Sequence, residues 1–258
     1  VSTAQANFRL DGKLALVTGA SSGLGRHFAQ VLASAGARVL VTARRAERLQ
    51  ALVREIAVDG GQAHAFELDV ADAGSVRAAF ERIVAEAGVP DVVVSNAGVT
   101  ITKPLLQQDE SDWDQVMDTN LKGCWLVGTE AARRMLAANK GGCILNVASI
   151  LGQRVAGGVA PYAISKAGVV QATKAMALEL ARHGIRVNAL LPGYVMTDLN
   201  REFLASAAGE KLRARIPSRR FGEFSDLDGP LLLLTSDAGR AMSGATVAVD
   251  GAHLVSSL

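Results

Sequence analysis

The residues best suited to chemistry are Tyr162, Lys166 and, thirteen positions before the tyrosine, Ser149. Tyr162 and Lys166 are four apart, so on a helix they share a face. Pro161 suits the first turn of such a helix, where a missing N–H costs no hydrogen bond. A free phenol, with a pKa of about 10, is a poor base at neutral pH. A neighbouring ammonium favours the phenolate and lowers that pKa, which makes the tyrosine a usable proton donor or acceptor. Ser149 ends the apolar run Cys143–Val147 and can hold a substrate oxygen. A tyrosine and lysine at this spacing also occur as an ordinary surface pair, so the elements around them must decide.

Those elements alternate. Short apolar runs at Leu14–Val17, Arg38–Thr42, Ala63–Leu68, Asp91–Ser95, Cys143–Val147, Arg186–Leu190 and Thr246–Val249 read as strands. Between them, helical spacing is found at Leu24, Phe28, Val31, Leu32 and Ala35, at Leu49, Leu52, Val53 and Ile56, and over about Ala73–Ala87, Ser111–Ala138, Ala160–His183 and Asp226–Thr235. This rhythm predicts one α/β domain, a doubly wound parallel sheet of about seven strands with helices on both faces. The domain is expected over residues 10–258, after a loose tail at 1–9. In such sheets ligands lie beyond the carboxyl ends of the strands. Tyr194–Ser225 breaks the rhythm, and its polar and apolar mixture reads as a lid over a pocket.

At the first strand end stands Thr18-Gly19-Ala20-Ser21-Ser22-Gly23-Leu24-Gly25. Glycine permits positive φ and close approach of backbone to a ligand. The helix that follows presents unpaired N–H groups and partial positive charge. Gly19, Ser21, Ser22, Gly23, Leu24 and Gly25 are thus expected at a pyrophosphate. After the second strand, Ala43 occupies the place where a carboxylate would hold ribose hydroxyls and repel a 2′-phosphate. Arg44 beside it offers a planar fork to that phosphate, favouring NADP, with NAD as the alternative. Arg44 and Arg45 as solvated charges at a helix start is the plainer reading.

With 27 basic and 25 acidic residues among 258, the net charge of +2 predicts no nucleic-acid partner. No uncharged apolar run is long enough to span a bilayer, and no signal-like start is read; a cytoplasmic, soluble protein is expected. Cys124 and Cys143 show no metal spacing and are expected as free thiols; no metal site is predicted.

The glycine spacing T-G-x-x-x-G-x-G, Ser95-Asn96-Ala97-Gly98, Asn120 within Trp113–Leu121, Ser149, Tyr162-x-x-x-Lys166 and Pro192-Gly193 together resemble the compact short-chain dehydrogenases/reductases along about Leu10–Gly251. The resemblance implies hydride transfer between a nicotinamide cofactor and a ketone or secondary alcohol. It implies a catalytic set of Asn120, Ser149, Tyr162 and Lys166. Tyr162 would be the general acid–base, and Lys166 would bind the nicotinamide ribose. Asn120 would hold a water relaying protons toward Lys166. Asp69 and Val70 would meet the adenine, and Asn96, Ala97 and Gly98 the ribose, although Asn96 could equally tie strands together. Pro192, Gly193, Val195 and Thr197 would lie at the nicotinamide. Ser22 departs from the basic residue that many NADP-preferring members carry there.

Val159–Tyr162, Pro192–Asn200 and Lys103–Leu106 are similar to gluconate-type sugar-acid dehydrogenases of the family, and Lys103 or Arg154 could then meet a carboxylate. The alternative is a 3-oxoacyl-carrier-protein reductase, with Lys140, Arg182 and His183 as an acidic-carrier docking patch. A nucleotide-sensing protein without turnover is a third reading. The resemblance further implies a homotetramer or homodimer, paired through the long helices, where Val169, Val170, Met176 and Leu178 give more than one apolar face.

Overall fold

The computed structural model describes residues 7–197 and 200–256; most of the tail, Asp198 and Leu199 of the segment read as a lid, and the last two residues lie outside it. Seven strands, β1 Leu14–Thr18, β2 Arg38–Ala43, β3 Gln62–Glu67, β4 Val92–Ser95, β5 Gly142–Val147, β6 Ile185–Pro192 and β7 Thr246–Val249, form one sheet. Every pair is parallel, in the order β3-β2-β1-β4-β5-β6-β7. The order reverses between β1 and β4, where a ligand crevice opens above the carboxyl ends.

Alternate residues of each central strand face opposite layers, so apolar side chains are needed at every position. Ala15 and Val17 pack with Phe28, Leu32, Leu49, Leu52 and Leu231. Those residues come from α1 Gly23–Ser34, α2 Ala46–Val58 and α9 Asp228–Thr235. Leu14 and Leu16 pack on the other face with Val76, Phe80, Val127, Met135 and Met176. That layer is α3 Ala73–Glu86, α5 Gly123–Ala137 and α6 Ala160–Leu180. Both cysteines are free and buried. Burial raises both thiols, Cys143 to about 11, which keeps them protonated.

The span read as one helix over Ser111–Ala138 is three pieces: α4 Glu110–Met117, a π-helical turn Asp118–Lys122, and α5. Helical periodicity continues across one extra residue, so the sequence pattern does not reveal the break. α4 begins with a capping box in which Asp109 accepts from Asp112 N–H and Asp112 accepts from Asp109 N–H. In the segment after β6, the described helices are α7 Arg201–Leu204 and α8 Ala207–Arg213, anchored by buried Leu204 and Ile216.

Val169, Val170 and Met176 do not offer a second apolar face, because all three are buried within the chain. Leu178, 82% exposed, and Ile164 are the outward apolar residues of α6.

Candidate active site

The turn after β1 is built around Gly19, whose φ is +66°. A Cβ there would stand 2.8 Å from Ala97 Cα, so only glycine lets the β1 and β4 turns touch. Asn96 and Ala97 donate backbone N–H groups to Thr18 Oγ1, and Asn96 Nδ2 donates to Thr18 O at 2.9 Å. Asn96 therefore ties strands while also lining the crevice.

α1 starts at Gly23 with no side-chain cap on its free N–H groups. By contrast, α3 is capped by Asp72, which accepts from Gly74 N–H at 2.7 Å. An uncapped helix start beside a cavity is what an anionic group requires. Asp72 takes the capping role, and Asp69 turns its carboxylate to Ala71 N–H while lining the cavity.

The cavity is about 700 Å³, within the range of small-molecule sites, roughly 300–1,000 Å³. Gly19, Ser21, Ser22, Gly23, Leu24 and Arg44 line one end. Asp69, Val70, Asn96, Ala97 and Gly98 follow, and Ser149, Tyr162, Lys166, Pro192, Gly193, Val195 and Thr197 line the other. Two expected members stand outside the lining. Gly25 is buried behind it, where a Cβ would lie 2.4 Å from Asn96 Nδ2 and 2.5 Å from Gly19 O, so its need is close packing. Asn120 is also behind the wall. Its Oδ1 accepts from Val99 N–H at 2.8 Å, and its Nδ2 donates to Val99 O and Ser165 Oγ. The Asn120 side chain thus latches the loop after β4.

Lys166 is 4% exposed and donates from Nζ to Val147 O at 2.8 Å. Burial pushes it down to about 8. Its Nζ lies 5.6 Å from the centre of the Tyr162 ring. The expected lowering of Tyr162 by this ammonium is not what the structure holds. Burial raises the phenol, the Ser149 hydroxyl pulls it partly back, and Tyr194 raises it further. Ser149 Oγ accepts from Leu151 N–H at 3.1 Å, and its own proton is turned toward the Tyr162 phenol.

Arg45, expected only as a solvated charge at a helix start, reaches the glycine turn. Its Nη2 donates to Ser21 Oγ at 2.7 Å and Ser22 Oγ at 3.1 Å. A cation from the end of β2 thus stands over the serine where the resemblance expects a basic side chain. Thr100 and Thr102 also line the cavity. Their spacing of two puts them on one side of an extended segment, and that alternation was the signal available.

Two charges expected at a substrate carboxylate are committed elsewhere. Lys103 Nζ is 2.7 Å from both carboxylate oxygens of the buried Asp112. Arg154 Nη1 donates to His253 O and Ser256 Oγ. Neither lines the cavity. Lys140, Arg182 and His183 precede β5 and β6, at the amino ends of the strands and opposite the cavity. Lys140 is already paired with Asp91 at 2.9 Å, so these residues form no docking patch beside the site.

An uncapped helix start, an arginine pair and a half-buried tyrosine beside a buried lysine and serine around one crevice fit a nicotinamide dinucleotide and define an oxidoreductase class. Comparison narrows the class. The chain matches the family model described as Enoyl-(Acyl carrier protein) reductase over residues 19–252. It is 40% identical over 240 residues to the 3-oxoacyl-(acyl-carrier-protein) reductase of Staphylococcus aureus, covering 93% of this chain and 97% of that protein. It is 38% identical over 254 residues to D-threitol dehydrogenase of Mycolicibacterium smegmatis, covering 96% and 95%. A solved gluconate 5-dehydrogenase from Burkholderia cenocepacia in complex with NADP and tartrate superposes with a TM-score of 0.95 at 37% identity, covering 98% and 99%. The chain belongs to the short-chain dehydrogenase/reductase family. It is an oxidoreductase acting on CH–OH and C=O groups.

Proposed function

We propose that the chain is an NADP(H)-dependent ketone reductase and secondary-alcohol dehydrogenase with Tyr162 as its general acid–base. The convergence of Ser149, Tyr162 and Lys166 at one end of a cavity whose other end carries the uncapped α1 start and Arg44 supports this reading most directly. When bound, the nicotinamide dinucleotide supplies or accepts the hydride. Ser149 donates a hydrogen bond to the substrate oxygen, turning from the Tyr162 phenol, and stabilises charge developing there. Tyr162 delivers a proton to that oxygen in reduction and removes it in oxidation. Lys166 holds the nicotinamide ribose hydroxyls. Val195 and Thr197, after Pro192-Gly193, orient the carboxamide, Asn96, Ala97 and Gly98 wall the ribose, and Asp69 with Val70 meets the adenine. Gly25 and Asn120 shape this site from behind.

NADP preference rests on Arg44, with Ala43 removing the carboxylate barrier and Arg45 supplying a second cation over Ser22. The Burkholderia relative is solved with NADP, a cofactor whose 2′-phosphate this pair would meet. Arg44→Ala should weaken NADPH about 10- to 100-fold, the worth of a charge-assisted contact, and leave NADH nearly unchanged. Paired calorimetric titrations check this, and equal loss for both would remove Arg44 from the phosphate.

The reading as a whole is tested by NADPH titration followed by turnover with a ketone panel. Binding without turnover of any ketone would favour the sensor. Segment 194–225 is proposed as the lid, since Phe203 and Thr197 face the cavity from it. Trp113, Trp125, Ile164 and Leu178 leave outward apolar surface on α4, α5 and α6, which supports a homotetramer or homodimer. No helix among the described residues is long and apolar enough to cross a membrane, and a cytoplasmic location is proposed from likeness to the reductases. The carrier-protein reading keeps its support from the Staphylococcus relative, but Lys140, Arg182 and His183 lie at the ends of the strands opposite the cavity.

A further inference from the structure

The catalytic end of the cavity is unusually poor in charge for a site that would take an acid. Among the described residues, the cations lining the cavity are Arg44, Arg45 and Lys166. The two arginines follow β2, and Ser149 follows β5. Three strand spacings separate them, on the order of 14 Å across the sheet, and Arg45 is held on the α1 serines. Lys166 is committed to Val147 O and, in the proposed reading, to the cofactor ribose. Lys103 cannot be diverted cheaply, because leaving Asp112 would strand a buried carboxylate. Arg154 is bound to the carboxyl-terminal segment.

The same end is rich in neutral donors. Thr100, Thr102 and Tyr194 line the cavity, and their hydroxyls make no side-chain hydrogen bond to another described residue. Ser149 keeps its proton on the side of the Tyr162 phenol. The amide of Asn200 is spent on Thr197 N–H and Val195 O. Ile150, Val159 and Phe203 supply apolar wall between these groups. A carboxylate placed here would lose water without gaining a cation, whereas each hydroxyl of a polyol would meet a donor or acceptor.

We propose that the cavity selects an uncharged polyhydroxylated substrate, a ketose or the corresponding polyol, and discriminates against sugar acids because Lys166 is the one cation among the described residues lining its catalytic end. This deepens the oxidoreductase reading and rests on it. Oxidation removes the hydrogen of the substrate carbinol as hydride to the bound cofactor, and its hydroxyl proton to Tyr162; reduction returns both.

The test uses the full chain with NADPH and compares kcat/KM for a neutral ketohexose, a ketotetrose, a keto-gluconate and an aromatic ketone. A neutral ketose should exceed the keto-gluconate by about 100-fold or more, the scale set by polar groups left unpaired in a buried site. Thr102→Arg should raise kcat/KM for the keto-gluconate by about tenfold, the return on roughly 1.4 kcal/mol, and lower it for the ketose. NADPH affinity by calorimetry should not change, which shows that the variant is folded and its cofactor site intact. A wild-type keto-gluconate rate equal to the ketose rate overturns the inference. Reduction of the aromatic ketone alone overturns it too, while leaving the oxidoreductase reading in place. Bound NADPH with no ketone reduced defeats the oxidoreductase reading itself.

Discussion

Tyr162→Phe should reduce ketone turnover by about 10³-fold or more, toward the upper end of what one positioned acid–base contributes. The phenol is half-buried at the start of α6, with its hydroxyl beside Ser149, where the proposed reading needs a proton carrier. Phenylalanine fills the same space, so the fold and the NADPH site should survive. Titration of the variant should give an affinity within a few-fold of the parent, and turnover within that same margin would show that another group moves the proton. The parent's pH dependence carries a sign. Burial raises the phenol, so Tyr162 is protonated at neutral pH. Reduction, which consumes that proton, should be strongest there and decline as the pH rises toward the phenol's pKa. Oxidation needs the phenolate and should climb over the same interval. Opposite trends disappear if the step limiting turnover is not proton transfer.

Lys166→Met should show a second large effect, on activity and on the pH dependence of stability. Loss of the ammonium removes the proposed ribose anchor, and turnover should fall by about 10²-fold or more. Stability separates the charge from the rest of the side chain. The lysine falls from 10.5 when unfolded to about 8 when folded. A base with a depressed folded pKa is protonated more readily by the unfolded chain. It therefore costs stability below about pH 8, and the cost fades as pH rises toward 10.5. A depression from 10.5 to about 8 corresponds to roughly 3 kcal/mol at neutral pH. Methionine carries no such dependence. Both forms leave any change at Val147 O constant with pH. The stability of the parent relative to Lys166→Met should thus improve by about 2–3 kcal/mol between neutral pH and pH 10. Parallel denaturation curves at both pH values measure it. An unchanging difference would place the ammonium in water.

The frame around these two residues was readable because its signals are local. Leu14–Val17 and the helical spacing from Leu24 bracket the glycine turn, and the observed β1 and α1 differ from that reading by one or two residues at their ends. What escaped was decided by distant partners. Lys103 reads as available until Asp112 is placed beside it. Arg154 meets His253, 99 positions away. Arg45, not singled out over Arg44, reaches serines 24 and 23 residues earlier. The expected effect of Lys166 on Tyr162 failed for a related reason. Spacing of four places the two on one face, but burial of that face, which weighs against charge on either group, is a property of the whole sheet. Val169, Val170 and Met176 were misassigned because α6 is apolar around much of its circumference, so periodicity alone does not say which side meets the core.

The π-helical turn at Asp118–Lys122 acts as a gear between two rods. One added residue rotates everything downstream by about 100° relative to a continuous helix. Upstream, α4 packs against α6; downstream, α5 packs on β4, β5 and α3. Deleting Thr119 would give a straighter rod with regular hydrogen bonding, yet would swing Cys124, Val127, Ala131 and Met135 out of phase with the sheet. It would also pull Asn120 from Val99 and free the strand-end loop that the latch holds. A local defect in helix geometry thus keeps two otherwise independent surfaces in phase, and regularising it would decouple the wall of the crevice from the layer that supports it.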